Sequence, residues 1–164
     1  MSSLKPIERI AEMAQYYHDA WKAAGHDPAG YKYNTHYQIV VDDDRERARR
    51  VVAEAIPRYT SLLTEATSLY TAPGQAPRVS ALVDFSVEGW IEEGRILCGT
   101  PDDVVATLQR AERELKITGV DGTFYFGGMP FETAQRSLRM FAEHVIPRLR
   151  TPAPAAAGVQ TAAR

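Results

Sequence analysis

The residues best suited to binding a cofactor are the adjacent glycines Gly127 and Gly128, followed by Met129. They come directly after the apolar run 123–126, which is typical of a strand. Adjacent glycines let a backbone approach a planar ring or an anion closely, and the amino end of a following helix favours negative charge. The alternative is a tight turn in which these glycines need positive φ.

Gly99 and Thr100 hold the equivalent position after the short run 95–98, which is predicted to be a strand. The phrase Thr-Pro-Asp-Asp at 100–103 combines a hydroxyl cap, a proline in the first helical position and acids at the positive end of a helix. We therefore interpret Thr100 as the cap of a helix. Contact between Gly99 or Thr100 and a cofactor phosphate is the second interpretation.

Other conspicuous side chains favour structural roles. Trp21 and Trp90 fit apolar helix faces and are predicted to be core residues, with a substrate-pocket wall as the alternative for Trp90. Cys98 lies in an apolar strand as a small core residue and, being the single cysteine, excludes an internal disulfide. The acidic run 42–44 suggests a cation site, but a solvated helix start explains it more simply.

The sequence offers no general acid or base that can be named. His36 begins a strand, at the end opposite the expected active face, while His18, His26 and His144 lack the spacing of a metal site. It contains no Ser-His-Asp set, P-loop or Gly-x-Gly-x-x-Gly fingerprint. No metal is predicted, and the catalytic residues are unknown.

Composition limits the class of protein. The 164 residues are enough for one domain with a core. With 19 basic and 21 acidic side chains there is no positive excess to neutralise a nucleic acid. No apolar stretch is long enough to cross a bilayer and no signal-peptide core precedes the first helix, so we expect a cytoplasmic, soluble protein without membrane partners.

Hydrophobic periodicity predicts strands alternating with helices, which implies a parallel sheet joined by right-handed crossovers. The alanine- and proline-rich tail is predicted to be disordered. The first half is expected to contain a helix at 6–24, a strand at 36–41, a helix from 44 to about 63 that Pro57 kinks or splits, and a loop at 71–78. The second half is expected to contain a helix at 79–93, a strand at 95–98, a helix to about 117, a turn at 119–122, a strand at 123–126, a last helix and a tail at 151–164. The last helix is expected to carry one apolar face, formed by Phe131, Ala134, Leu138, Phe141, Val145, Ile146 and Leu149.

Three segments carry a resemblance to a known family. Residues 94–105 (GRILCGTPDDVV) resemble the Gly-[Ser/Thr]-Pro-acid start of the penultimate helix in luciferase-like monooxygenases. Gly127-Gly128-Met129-Pro130, followed by 136–138 and 141–147, resembles the closing segment of that family. Residues 17–26 are similar to its Trp-x-x-Ala-Gly helix end. The resemblance covers roughly residues 5–150 in the family's order and spacing.

This resemblance implies an α/β fold, part of a (β/α)8 TIM-type barrel, and a flavoprotein activity. Members of the family use reduced FMN or a deazaflavin, often with oxygen, on aldehydes, sulfonates and other small organic substrates. On that scheme residues 1–150 are the carboxy-terminal half of a barrel, contributing its last three parallel strands with their helices. Gly127, Gly128, Met129, Gly99 and Thr100 become the candidate cofactor contacts, and Trp90 the candidate substrate contact.

Three parallel strands cannot close an eight-stranded barrel, so their edges need a partner. We therefore expect an incomplete part of a flavin-dependent monooxygenase, joined by a complementing barrel half or by a second copy of itself. The alternative is a non-catalytic half-barrel that self-associates, or pairs with another chain, through its open sheet edges without binding flavin.

Overall fold

The computed structural model describes residues 7–70, 72 and 86–149. The tail at 151–164, the loop at 71–78 apart from residue 72, and the first part of the helix expected at 79–93 lie outside the described residues. The described elements are α1 (Ile7–Ala23), a short 3-10 turn (Pro28–Gly30), β1 (Asn34–Val41), α2 (Arg45–Ser68), α3 (Val87–Glu92), β2 (Ile96–Gly99), α4 (Pro101–Leu115), β3 (Gly119–Thr123), α5 (Phe131–Met140), a π-helical turn (Phe141–Val145) and α6 (Ile146–Leu149).

The three strands form one parallel sheet in the order β2-β1-β3. The parallel pairing confirms the expectation from sequence. The order is a finding of the structure, since consecutive pairing along a barrel would place β2 in the middle. Here the chain moves from β1 to one neighbour, β2, and then crosses back over β1 to β3.

Helices cover both faces of this sheet, as two crossovers of the same hand in opposite directions require. On one face α2 and α3 pack against alternate strand residues, which include Val40, Ile96 and Cys98. On the other face α4 and the π-helical turn pack against Ile39 and Leu97. The helix α1 lies further out, with Ile7 and Ile10 against Ala111 and Leu115 of α4.

The third strand begins earlier than predicted. It occupies 119–123, where the sequence suggested a turn, and residues 124–126 continue beyond it without strand pairing. Pairing with a distant segment places the strand here, because Gly119 to Thr123 pair with Asn34 to Gln38 of β1. Their own side chains are partly exposed and gave no strand signal in the sequence. The apolar residues that suggested a strand, Phe124 and Phe126, pack instead into the two opposite cores.

The helix α2 runs through Pro57 as one element, so of the two predicted outcomes the split is wrong and the kink stays a prediction. Proline leaves the carbonyl four residues earlier without its helical donor. Both Ala53 and Pro57 are exposed, so water can hydrate that carbonyl and the helix continues.

The predicted single apolar face of the last helix is also wrong. Phe131 and Leu138 are 64% and 48% exposed, whereas Ala134, Ser137 and Val145 are buried. The π-helical turn at Phe141–Val145 adds one residue to the helical repeat. The residues after this turn are therefore rotated about the helix axis relative to Phe131 and Leu138, and the two sets do not share one face.

Candidate functional site

Ligands of parallel α/β sheets bind beyond the carboxyl ends of the strands. In the described part of the chain those ends lead into connections at 42–44, 100 and 124–130. The sequence-predicted cofactor residues lie at the last residue of β2 and in the second and third of these connections.

Gly127 and Gly128 both have left-handed backbones, with φ of +60° and +71°. An ideal Cβ on Gly127 would lie 1.9 Å from the carbonyl oxygen of Ala55, so this glycine is required by the close approach of the loop to α2. At Gly128 the nearest group is the guanidinium of Arg58, whose Nη1 would lie 3.0 Å from such a Cβ. The turn interpretation is confirmed for this loop, and contact with a cofactor stays a prediction.

A groove of about 180 Å³ opens between this loop and α2. Arg58 is exposed and has no ion-pair partner among the residues that the structure describes. Met129 turns its side chain inward, where it is 6% exposed in the core, so it can offer a ligand mainly its backbone. The groove is lined by Val51, Glu54, Ala55, Arg58, Gly127, Gly128, Met129 and Pro130.

Thr100 caps α4, as the sequence predicted. Its hydroxyl and the carboxylate of Asp103 form a capping box, in which the Thr100 amide donates to Asp103 Oδ2 at 2.9 Å. Arg45 of α2 holds the same carboxylate with two hydrogen bonds of 2.9 and 2.7 Å. The hydrogen bonds from Arg45 lower the pKa of Asp103 to about 2 against the opposing effect of burial.

Gly99 is buried, with φ of +135°, and an ideal Cβ on it would lie only 2.6 Å from Oδ2 of Asp103. The protein's own carboxylate thus stands at the amino end of α4, where an anionic ligand would otherwise be stabilised. Contact of Gly99 or Thr100 with a cofactor phosphate stays an untested prediction. Such a phosphate would have to bind at the amino end of α4 beside the negatively charged Asp103 carboxylate.

The acidic run after β1 forms ion pairs within the protein. Asp42 is 6% exposed and accepts hydrogen bonds of 2.9 Å from Nε of Arg47 at both carboxylate oxygens. Asp43 pairs with Arg47 and with Arg136 of α5. Asp44 caps α2 by accepting from the amides of residues 46 and 47. The helix start is confirmed, but the expectation that the whole run is solvated is wrong for Asp42.

Burial acts to raise the pKa of Asp42, but the hydrogen bonds from Arg47 and the Asp44 amide and the charge of Arg136 outweigh it and hold that pKa well below its usual range. Among the described residues no cluster of His, Cys, Asp or Glu could hold a metal ion.

A second polar group, missed by sequence reasoning, lies on the α2 face of β1. Gln38 is completely buried, and its Nε2 donates to the Tyr59 hydroxyl at 3.2 Å, whereas its Oε1 has no hydrogen-bond partner among the residues that the structure describes. His36 lies two residues earlier, with Nε2 3.1 Å from the Thr123 hydroxyl. The available signal was a glutamine inside the otherwise apolar run after Tyr37.

The two tryptophans differ in environment. Trp90 is 3% exposed in the core under α2, with the Arg95 guanidinium 5.5 Å from its ring centre, so its core role is confirmed and its contact with a substrate stays a prediction. The prediction of a core position is wrong for Trp21, which is only half-buried and packs against His26 and Tyr31 near the surface. The tertiary contacts of α1 leave this side of the helix outside the core.

Cys98 is 8% exposed in β2, which confirms its assignment as a small core residue. Burial raises the pKa of its thiol to about 12.

Two wider grooves lie away from the carboxyl ends of the strands. One, of about 470 Å³, lies between α1 and the start of β1 and is lined by residues that include Tyr16, Tyr17 and Tyr33. The other, of about 310 Å³, lies between the end of α4 and the π-helical turn. Neither contains a residue that the sequence singled out as a cofactor contact.

A family model described as luciferase-like monooxygenase matches residues 1–119, and the chain belongs to this family. The solved structure of monooxygenase RslO1 from Streptomyces bottropensis is similar, with a TM-score of 0.72 and 26% identity over 90% of this chain and 40% of that one. The riboflavin lyase RcaE, solved with modified FMN and its substrate riboflavin, has a TM-score of 0.55 and 19% identity over 89% of this chain and 37% of its own, a likeness of fold alone. No curated protein matches the chain.

The chain therefore spans about two-fifths of the length of these two structures. The predicted fold class is confirmed by the three-stranded parallel sheet with flanking helices and by the likeness to RslO1. None of the helices in the part of the chain that the structure describes is both long and apolar enough to cross a membrane.

Proposed function

We propose that this chain is one part of a flavin-dependent monooxygenase acting on a small organic substrate, and that it supplies one wall of the flavin site. Membership of the luciferase-like monooxygenase family carries this proposal. Both similar structures support it, one as a monooxygenase and the other through the modified FMN and riboflavin that it holds. FMN or a deazaflavin would supply the redox chemistry, while the protein positions and shields it.

The groove beside Gly128 fits part of a flavin. Ligand pockets are usually about 300–1,000 Å³, so a groove of about 180 Å³ is too small to enclose a whole isoalloxazine. It can hold one edge of a ring or a phosphate. On this proposal the other walls would come from polypeptide outside these 164 residues, which is supported by the match covering two-fifths of RslO1.

Within that wall the residues have separable roles. The left-handed backbone at Gly128 carries no side chain, so a planar group can approach the loop closely. Arg58 brings an exposed guanidinium to the same groove, which suits a phosphate or another anion. Glu54 lines the groove too and opposes an anion, so the placement of Arg58 relative to Glu54 decides the charge that a ligand meets.

Equilibrium dialysis tests the proposal, with FMN and a deazaflavin offered to the chain alone and to its equimolar mixture with the segment of RslO1 outside the match. We expect the chain alone to retain little flavin and the mixture to retain one flavin per pair. A fusion of the two segments keeps the test decisive if they do not associate. Absence of flavin from both the mixture and the fusion would overturn the proposal.

Two arginine variants locate the site. Arg58→Ala should weaken flavin retention by about tenfold or more, since a hydrogen bond to a charged group contributes roughly 1.5–3 kcal/mol. Arg50→Ala removes another exposed arginine of the same helix and should leave retention unchanged. Equal effects of the two substitutions would place the flavin elsewhere.

The alternative, a half-barrel that binds no flavin, draws on one observation. The polar groups nearest the ends of β1 and β2 already pair with each other, as Asp42 with Arg47 and Asp103 with Arg45. Flavin retention by the fusion would exclude this alternative.

A further inference from the structure

One side of α5 exposes large apolar residues that the described part of the chain does not cover. Phe131 and Leu138 are 64% and 48% exposed, and Tyr125, 58% exposed, packs edge-on against Phe131 with ring centres 6.2 Å apart. Phe131 and Leu138 are seven residues apart, which is two helical turns, or about 10 Å along the axis. They therefore lie on one stripe of the helix, beside the buried face formed by Ala134 and Ser137.

Charged residues flank this stripe in an order that favours a second copy of the same helix. Glu132 lies in the first turn and Arg139 in the last, again seven residues apart. Both are exposed, and neither has an ion-pair partner among the residues that the structure describes. An antiparallel copy of α5 would bring each glutamate opposite an arginine and each Phe131 opposite a leucine. Such self-complementarity is what a two-fold interface requires.

The edge of the sheet that β3 forms is a less suitable surface for self-association. The outer edge of β3 has Asp121 at its centre, exposed to solvent. A two-fold pairing of β3 with itself, centred on that residue, would place two aspartates opposite each other, which is destabilising. Self-association through helices avoids this repulsion.

We propose that two copies of the chain associate through α5 in an antiparallel, two-fold arrangement that packs Phe131 of each copy against the partner's Leu138 and pairs Glu132 with the partner's Arg139. A stripe two turns long is smaller than the roughly 800 Å² per partner of a standard interface. The dimer should therefore be weak, with a dissociation constant of about 10–100 µM. This association does not depend on flavin.

Sedimentation equilibrium of the full chain, without flavin, over about 5–500 µM tests the proposal. The unmodified chain should shift from monomer to dimer across this range. Leu138→Asp should remain monomeric throughout, and because Leu138 is half-exposed the variant should keep its helical circular dichroism. Tyr70→Asp removes a 90% exposed aromatic residue at the end of α2 and should dimerise like the unmodified chain.

A charge exchange provides the sharper test. Glu132→Arg should weaken dimerisation at least about fivefold, because it places two arginines opposite each other. The double variant Glu132→Arg with Arg139→Glu should restore it. A chain that is monomeric at every concentration, a dimer that tolerates Leu138→Asp, or a double variant no better than the single one would overturn the proposed interface.

Discussion

The hydroxyl of Ser137 accepts a hydrogen bond of 2.8 Å from the backbone N–H of Val41, at the edge of β1 that faces β3. The same hydroxyl lies 3.5 Å from the carbonyl oxygen of Ile39, to which it donates. Since β3 ends at Thr123, opposite Gln38, the last residues of β1 have no strand at this edge among the described residues. A side chain of α5 therefore takes the place of a neighbouring strand and fixes the helix against the sheet.

Removing this hydroxyl should destabilise the fold. In Ser137→Ala the buried N–H of Val41 loses its partner, and an unsatisfied buried donor costs roughly 1–3 kcal/mol. The free energy of unfolding, measured by urea denaturation, should fall by that amount. Ser61→Ala, on the exposed side of α2, should change it by less than about 0.5 kcal/mol. Equal effects of the two substitutions would show that Ser137 does not stabilise the sheet edge.

Gly127 and Gly25 allow a matched comparison of how much a Gly→Ala substitution lowers the free energy of unfolding. Both have left-handed φ, but a Cβ on Gly127 would meet the Ala55 carbonyl whereas one on Gly25 would have no atom within 4 Å. Gly25→Ala should cost about 1–2 kcal/mol from backbone strain alone. Gly127→Ala should cost roughly 2 kcal/mol more, because the loop must also move away from α2. Similar unfolding midpoints for the two variants would contradict the close packing of the loop.

Acid should unfold the protein partly through Asp103 and Asp42. The pKa of Asp103 is lowered to about 2 and that of Asp42 is also lowered, whereas the unfolded chain has values near 3.9. A depressed folded-state pKa stabilises the fold above the unfolded pKa, and this contribution is lost as the pH falls through the folded value. The unfolding midpoint should therefore fall most steeply between about pH 4 and pH 2.

The variant Asp103→Asn tests this assignment. It should be less stable at pH 7, because the Arg45 ion pair is lost, and its stability should vary less with pH below 4. Asp121→Asn, at an exposed position in β3, should keep the slope of the unmodified chain. An unchanged slope in Asp103→Asn would assign the acid sensitivity to other carboxylates.

Cys98 should be unreactive in the folded protein. The thiolate is the reactive form, and burial both raises the pKa of this thiol to about 12 and excludes reagent. Alkylation by iodoacetamide at pH 8 should be at least ~100-fold slower in the native state than in guanidinium chloride. Rapid labelling without denaturant would place Cys98 at an accessible surface.

The sequence predicted the local elements wherever a local signal was strong. The cap at Thr100 with Pro101 behind it defined the start of α4, and the β-branched run after His36 predicted the strand now seen as β1. The Gly127-Gly128 turn was likewise predictable, because adjacent glycines signal positive φ whatever surrounds them. The family, too, was indicated by short motifs in the right order.

The tertiary structure decided everything that depends on pairing between distant residues. No local pattern shows that Gly119 pairs with Asn34, that Ala55 requires a glycine at 127, or that Ser137 covers the edge of β1. Capping and turn preferences act over three or four residues and are therefore written in the sequence itself. Strand order, the burial of Gln38 and the exposure of Phe131 depend on which surfaces meet in the folded chain, so only the structure could show them.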